Sequence, residues 1–501
     1  MMNQVAHMLD SPVVAAVIVS LYLAGVAGLV LYGAGQGHLL WLFMRRRSRG
    51  AAPSLPSDRT TWPAVTVQVP MYNERYVAAG VIDACAQLEW PRDRFELQLL
   101  DDSDDDTMAI VEARAAHWRS RGITVEVVRR SDRVGYKAGA LAEGTPRARG
   151  EFLALFDADF RPTPDFLLRT MGWFGDDRVG AVQARWGHLN RSANWLTRGQ
   201  ALVLDAFFVV EQEARDRAGV PIRFNGSAGI WRSSAVADAG GWQADTLSED
   251  YDLCLRAQMH GWRLVYARDV LAPAELPVTM HDYKVQQRRW ARGRGQVIRK
   301  HLGALWRSPL RPLAKAHAIF DLLNILVVPS VVLIAVMSPW LVIGTPPIPV
   351  RYDWWWVTDV IQRPFQALVL PIFLVLALRS YGGRLSGQLA AAFSSVPAFL
   401  LLIMGINAVI LEAGVRGLSG RVVAFQRTSK YEQEAMRGGW RQSRYRPATV
   451  GANTWIEGAL GFYGAAACVL DVAMGAWFWL PFHLTFALGF LSVFLYSVRR
   501  S

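Results

Sequence analysis

Lysine is almost missing from this chain. Only five occur (137, 284, 300, 315 and 430), so the net charge of +12 rests almost wholly on arginine, a bias of coding that carries no functional meaning. Cysteine is scarce as well. Cys85, Cys254 and Cys468 are isolated and odd in number, which argues against a disulfide framework or a thiolate metal site and leaves three core thiols. No Lys/Arg block resembles a basic tail and no nucleic-acid motif occurs, so no nucleic-acid partner is expected. The basic excess is assigned to membrane flanks and a phosphate-bearing ligand. Charge itself is absent from residues 11–44 and 322–350. With 52% hydrophobic residues and a mean hydropathy of +0.16, part of the chain belongs in a lipid bilayer.

The apolar run 13–33 can cross a bilayer, which takes about 20 residues. No Lys or Arg precedes it and Arg45-Arg46-Arg47 follows, which favours a first span over a signal peptide. The same bias places the amino terminus outside and residue 45 onward in the cytoplasm. Residues 48–63 read as a linker. A second span is expected over 322–350, leading outward to an aromatic belt at Tyr352, Trp354, Trp355 and Trp356. Of the next two apolar runs, 364–378 and 385–411, one does not cross, because the strongly basic stretch 416–446 belongs on the cytoplasmic side. Runs 453–475 and 477–497 form an outward hairpin ending at Arg499-Arg500, with Asp471 near its tip at the outer interface or lining a channel. The expectation is a multi-pass protein of the inner (plasma) membrane with five spans and its soluble domain in the cytoplasm.

Residues 64 to about 275 have the composition of a soluble α/β domain. Strands are expected at 65–69, closed by Pro70, and at 95–100, 123–128 and 152–156, with helical segments between them. Such alternation implies a largely parallel sheet whose ligands gather at the carboxyl ends of strands. The polar clusters stand at those ends. Pro70-Met71-Tyr72-Asn73-Glu74 follows the first strand. Asp101 to Thr107 follows the second, either as a solvated turn capping a helix or with Asp101 placed to accept hydrogen bonds from a base or ribose. Gly135-Tyr136-Lys137-Ala138-Gly139-Ala140 starts a helix beside a lysine, an ordinary amino terminus or a diphosphate site. Asp157-Ala158-Asp159 ends the fourth strand. Alone, it reads as two solvated acids; with the other clusters around it, it reads as a pair of hard ligands for a divalent ion.

Three later motifs share this double reading. Phe224-Asn225-Gly226 is a glycine-containing turn entering a strand, suited to close approach of a ligand. Ser248-Glu249-Asp250 opens an amphipathic helix, as a plain cap or as something more. Gln286, Arg289 and Trp290 lie on a basic helix that could also rest on anionic lipid.

In this order, Asp101-Asp102, Asp157-x-Asp159, Ser248-Glu249-Asp250 (where Thr is usual) and Gln286-x-x-Arg289-Trp290 resemble the family 2 glycosyltransferases. These inverting enzymes include cellulose, chitin, hyaluronan and mannan synthases. The surrounding wording, such as Val69-Pro70-Met71-Tyr72-Asn73-Glu74 and Val182-Gln183-Ala184-Arg185-Trp186, looks like the plant cellulose synthase-like A and C branches, which make (gluco)mannan and the xyloglucan-backbone glucan. The resemblance covers 64–310 and, more weakly, extends to 430. It implies a Rossmann-like GT-A domain over 64–310, after a helix and basic flank at 1–47 and before a transmembrane region at 318–501.

The resemblance also implies UDP-glucose or GDP-mannose as donor, a growing polysaccharide as acceptor, and Mg2+ or Mn2+ held by Asp157 and Asp159. Pro70, Tyr72, Glu74, Asp101, Asp102 and Lys137 would bind the nucleotide sugar, with Arg289 on its diphosphate. Asp250, beside Glu249, would be the general base, an effect worth about 10²- to 10⁴-fold. Trp290 would stack on the acceptor near Phe224, Asn225 and Gly226, and Gln286 would bond to either partner. Phe425, Thr428 and Lys430 match the Phe-x-Val-Thr-x-Lys loop that closes over the donor in processive members, with Arg427 where Val is usual. That gating-like segment, 417–450, would follow an interfacial helix at 386–416; a basic membrane flank is the alternative. Processive synthesis of a β-linked hexan, with translocation, is the expected activity, and a periplasmic or oligomeric partner is compatible with it. A single-addition lipid glycosyltransferase shares the first three motifs, and a transporter or scaffold with an inactive domain is the remote alternative.

Overall fold

The structure is a computed structural model that describes residues 11–48, 50–343, 371–372, 374–379, 385–420, 426–431 and 451–499. Seven strands form one sheet: β1 Val65–Met71, β2 Phe95–Asp101, β3 Thr124–Val128, β4 Phe152–Leu155, β5 Val179–His188, β6 Gly229–Arg232 and β7 Arg263–Ala274. Their order is β3-β2-β1-β4-β6-β5-β7, and β6 alone runs against its neighbours β4 and β5. This is the expected mostly parallel GT-A sheet. The helices used below are α1 Pro12–Arg45, α2 Ala78–Ala86, α3 Thr107–Arg119, α4 Tyr136–Gly144, α5 Trp195–Ala206, α6 Glu249–Met259 and α7 Met280–Arg307, then α8 Pro312–Leu323, α9 Val327–Ile343, α10 Leu385–Gly405, α11 Asn407–Leu418, α12 Ala452–Ala473 and α13 Leu480–Val498.

Period-two alternation decides which side chains meet which layer. Val65, Val67 and Val69 of β1 pack with Val81, Ile82 and Val111 of α2 and α3. Leu153 and Leu155 of β4 pack instead with Leu253 and Cys254 of α6. The polar residues between the β1 valines are buried too, in a side-chain ladder across the sheet. Thr66 donates to Glu96 at 2.7 Å, and Gln68 Nε2 donates to Gln98 Oε1 at 2.8 Å. Pro70 does not end β1, which continues to Met71. Its missing N–H costs no ladder bond, because β4 pairs with β1 only as far as Gln68.

Among the described residues, five helices are long and apolar enough to cross a membrane: Pro12–Arg45, Pro312–Ile343, Ser386–Gly405, Ala452–Ala473 and Leu480–Val498. The stretch expected as one interfacial helix, 386–416, is two helices, α10 and α11, which part at Ile406. Close packing accompanies the break: a Cβ on Gly405 would lie 2.3 Å from the carbonyl oxygen of Gly489 in α13. The expected belt residues Tyr352, Trp354, Trp355 and Trp356 lie outside the described residues, as does most of 364–378. Asp471, expected at the outer interface or lining a channel, is not exposed at an interface. It is fully buried, its Oδ2 lies 2.6 Å from His483 Nδ1, and His483 Nε2 lies 2.8 Å from Ser338 Oγ.

Candidate active site

The carboxyl ends of β1, β2 and β4 open on one side of the sheet, and the antiparallel β6 brings the 224–228 turn to the same place. There Lys137, the second residue of α4, is the hub. Its ammonium lies 2.5 Å from Asp157 Oδ1, 2.9 Å from the carbonyl oxygen of Gly226 and 3.8 Å from Glu249 Oε1. Burial alone would lower its proton affinity, but Asp157 and Glu249 hold it above the ordinary lysine value. Gly135 makes the approach possible. It caps α4 in the left-handed region at φ +76°, a conformation that suits glycine.

Asp250 stands beside this hub. Gly226, at φ +81°, is the residue it packs against, and a Cβ there would lie 2.8 Å from Asp250 Oδ2. Burial and the neighbouring Glu249 push the Asp250 carboxyl up to about 7, with Lys137 and Arg289 acting in opposition. Ser248, just before it, packs against α7, where a Cβ on Gly293 would lie 2.1 Å from Ser248 Oγ. Gln286, Trp290 and Gly293 recur at i, i+4 and i+7, so the face of α7 that carries Gln286 and Trp290 is the one docked on the Ser248-Glu249-Asp250 turn.

Asp157 and Asp159 end β4 as expected. The Asp157 N–H donates to Ser227 Oγ at 2.9 Å, which ties the acidic turn to the 224–228 turn. Asp159 is buried and pairs with Lys430, so each carboxylate faces an ammonium. Two hard oxygen donors that already draw two cations suit a divalent ion. Among the described residues, no group of three or more His, Cys, Asp or Glu side chains is arranged to hold a metal.

The remaining expected residues divide. Tyr72 carries the Arg133 guanidinium over its ring, and Asn73, at φ +55°, donates its N–H to Ser103 Oγ and its Nδ2 to Asp104 Oδ1. Glu74 pairs with Arg427 through bonds of 3.0 and 2.9 Å; burial raises its carboxyl above the ordinary range, and Arg427 opposes the shift. Asp101 is a correction. Its side chain is fully buried and accepts from Arg129 at 3.1 and 3.2 Å and from the Ser103 N–H at 3.2 Å, so its carboxylate is not offered to a base or ribose. Asp102 is also held, by Arg130, which reaches on to the carbonyl oxygens of Val134 and Tyr136 and so braces the start of α4. Arg129 and Arg130 directly follow β3, the same strand-end position that drew attention to the acids, and their sequence position alone could have identified them.

Phe224 is a second correction. It is 1% exposed, with its ring 5.1 Å from that of Trp231 and tilted by 60°, a core residue with no face for an acceptor. Asn225 does reach the site region: its N–H donates to Gln183 Oε1 at 2.8 Å while its Nδ2 is buried with no partner. Thr428 and Lys430 are brought in over the sheet, whereas Phe425 and 432–450 lie outside the described residues.

The description "Glycosyl transferase family group 2" matches residues 152–406, half of the chain, and "Glycosyl transferase family 2" matches 66–236. The chain belongs to glycosyl transferase family group 2. Within this family it is 44% identical over 268 residues to glucomannan 4-beta-mannosyltransferase 2 of Arabidopsis thaliana, covering 52% of this chain and 50% of that protein. It is 40% identical over 291 residues to glucomannan 4-beta-mannosyltransferase 1 of Oryza sativa subsp. japonica, covering 56% of each. The match thus spans about half the length of these curated relatives. Among solved structures, the mannosyltransferase PcManGT from Pyrobaculum calidifontis in complex with GDP-Man and Mn2+ aligns at 21% identity, with a TM-score of 0.49, over 72% of this chain and 96% of that one. The likeness to the glucomannan branch expected from the motif wording is borne out by the relatives.

Proposed function

We propose that this family member is an inverting, processive β-mannosyltransferase that extends a β-linked (gluco)mannan from GDP-mannose. The observation that carries the reading is the convergence of Lys137, Asp157, Gly226 and Asp250 within one cluster of contacts. An acceptor hydroxyl beside Asp250 loses its proton to that carboxylate as its oxygen bonds to the anomeric carbon. The bond from that carbon to the diphosphate breaks, and the nucleoside diphosphate leaves with the electron pair. Lys137 stands where negative charge grows on the leaving group. Asp157 and Asp159 would hold a divalent ion that adds to that neutralisation. Attack opposite an α-linked leaving group gives a β-linkage. Trp290, on the α7 face docked against Ser248-Glu249-Asp250, supplies a stacking surface for the acceptor sugar.

The membrane helices support a multi-pass protein of the plasma membrane, with the α/β domain on the cytoplasmic side beside Arg45, Arg46 and Arg47. The donor assignment follows the names of the relatives. The test is a donor panel of GDP-mannose and UDP-glucose with the purified chain, followed by sizing and linkage analysis. A ladder of β-1,4-mannan with stoichiometric GDP release is expected. Release from neither donor overturns the reading, and a single added sugar removes its processive part.

A further inference from the structure

A cavity of about 390 Å3 lies where α7 meets α11 and the start of α12. Leu247 and Arg289 form its edge toward the catalytic turn, and from there it extends around α7 to a second face. Lys284, Arg288 and Arg292 recur every fourth residue and share one face, and position 288 lies roughly 200° around the helix from Gln286. The approach is tight at this crossing: a Cβ on Gly295 would lie 2.5 Å from the carbonyl oxygen of Gly414, and one on Gly417 would lie 2.3 Å from that of Arg292.

The cavity wall is strongly cationic. Lys284, Arg288, Arg289, Arg292 and Arg416 all line it. Among the described residues, two carboxylates answer them. Glu457 takes Lys284 at 2.5 Å, while Glu412 takes Arg416 at 2.5 Å and lies 3.8 Å from Arg288. Arg292 is only 5% exposed, and its Nε has no hydrogen-bond partner among the described residues. Burial holds its guanidinium below the ordinary arginine value; Glu412 opposes that shift, and the like charges of Arg416 and Arg288 add to it. A buried donor left without an acceptor destabilises the fold, so the wall is incomplete without an anion.

The same cavity receives a helix terminus. Residues 451–454 line it, and α12, 22 residues long, begins there with Gly451 as a cap that offers no side chain. The first N–H groups of such a helix and its dipole both favour negative charge. On either side the chain turns apolar and outward: Val415 and Leu418 in α11 and Trp455 and Ile456 in α12 are exposed beside the lining residues. Basic pockets beside the end of a membrane helix suit phosphate headgroups.

We propose that this cavity binds a phosphate-bearing anion, separate from the donor diphosphate, and that its position among apolar helix faces selects the headgroup of an anionic lipid over a soluble phosphate. A phosphate beside Arg292 answers that guanidinium and the α12 terminus at once, and it fastens α7 to α11 and α12 on the face of Lys284, Arg288 and Arg292. The proposal does not rest on the assignment of transferase activity.

The test is lipid retention by the full chain in neutral detergent, read by native mass spectrometry. The probes are phosphatidylglycerol and phosphatidylcholine, with a parallel arm in which inorganic phosphate is tested for protection against thermal unfolding. Wild type is expected to retain phosphatidylglycerol in preference to phosphatidylcholine. Retention should fall about tenfold in Arg288→Gln/Arg416→Gln, whose side chains are partly exposed, and again in Arg292→Gln, as expected for lost charge-assisted bonds. Protection by inorganic phosphate, lost in the same variants, supports the site with a soluble source. Retention unchanged in both variants overturns the proposal, as does equal retention of the two lipids. Displacement of phosphatidylglycerol by GDP would put the phosphate in the donor site and overturn it too. Melting of each variant without ligand, within a few degrees of wild type, establishes that it is folded.

Discussion

The ammonium of Lys430 sits on the carboxylate of Asp159, a residue 271 positions earlier in the chain. The segment around it is pinned in the same manner: Arg427 to Glu74, the Ser429 N–H to Asp282 at 3.2 Å, and the Tyr431 N–H to Glu275 at 2.9 Å. Carboxylates of the α/β domain and of the start of α7 therefore hold residues 427–431 over the sheet. A divalent ion that binds Asp159 has to displace an ammonium.

That competition gives the first prediction. Lys430→Met should tighten donor-free Mn2+ binding by about tenfold, the effect of removing a competing ion pair of some 1.4 kcal/mol. Titration followed by electron paramagnetic resonance reads this without turnover. An unchanged dissociation constant would mean that lysine and metal do not share the carboxylate.

Asp250 gives the second. With its carboxyl pushed up to about 7, the residue is protonated and unable to accept a proton at pH 6 and is ionised at pH 8. Transfer should rise across that interval, and in Asp250→Asn it should drop about 10²- to 10⁴-fold and lose this limb. Stability follows the opposite sign. A raised carboxyl contributes stability below its unfolded value near 4, and that contribution is lost as pH climbs through about 7. Wild type should therefore melt lower at pH 8 than at pH 5.5, and the Asn variant should narrow the gap. A rate flat from pH 6 to 8 would contradict the assignment.

Gly226 tests the packing beneath that base. An added methyl meets Asp250 Oδ2 at 2.8 Å, on a backbone at φ +81° that L-residues disfavour by about 1–2 kcal/mol. Gly226→Ala is expected to lower the melting temperature and to reduce kcat much more than donor affinity. Wild-type kcat in a folded variant would mean that Asp250 tolerates displacement.

Most of the sheet was legible because its strands are apolar, bounded by turns and followed by polar clusters. The first four were placed within a residue or two. β7, Arg263–Ala274, escaped because Arg268 and Asp269 split its apolar residues into two short runs. Motif order located Lys137, Asp157, Asp159 and Asp250, but it could not tell which acids would be spent in ion pairs. Asp101 and Asp102 read as ligand contacts until Arg129 and Arg130, 28 residues on, appear beside them. Phe224 failed for a related reason: a glycine-containing turn does not reveal which of its side chains turns inward onto Trp231. Contacts across hundreds of residues, such as Lys430 on Asp159, leave no local pattern at all.

The last prediction concerns the joint between α7 and the membrane helices. Lys284, near the start of α7, is buried against Glu457 of α12 at 2.5 Å and Ser497 of α13 at 2.8 Å. Removing one partner of a buried pair strands the other charge, at a cost of about 3–5 kcal/mol, whereas replacing both with apolar side chains of similar size is often neutral. Glu457→Ala should therefore lower the melting temperature of the detergent-solubilised chain sharply. Lys284→Met/Glu457→Met should recover most of the loss while leaving Gln286 and Trp290, on the other face of the helix, in place. If the double variant is as unstable as Glu457→Ala, the ion pair contributes more than mutual neutralisation, and its geometry fixes the position of α7 on the membrane helices.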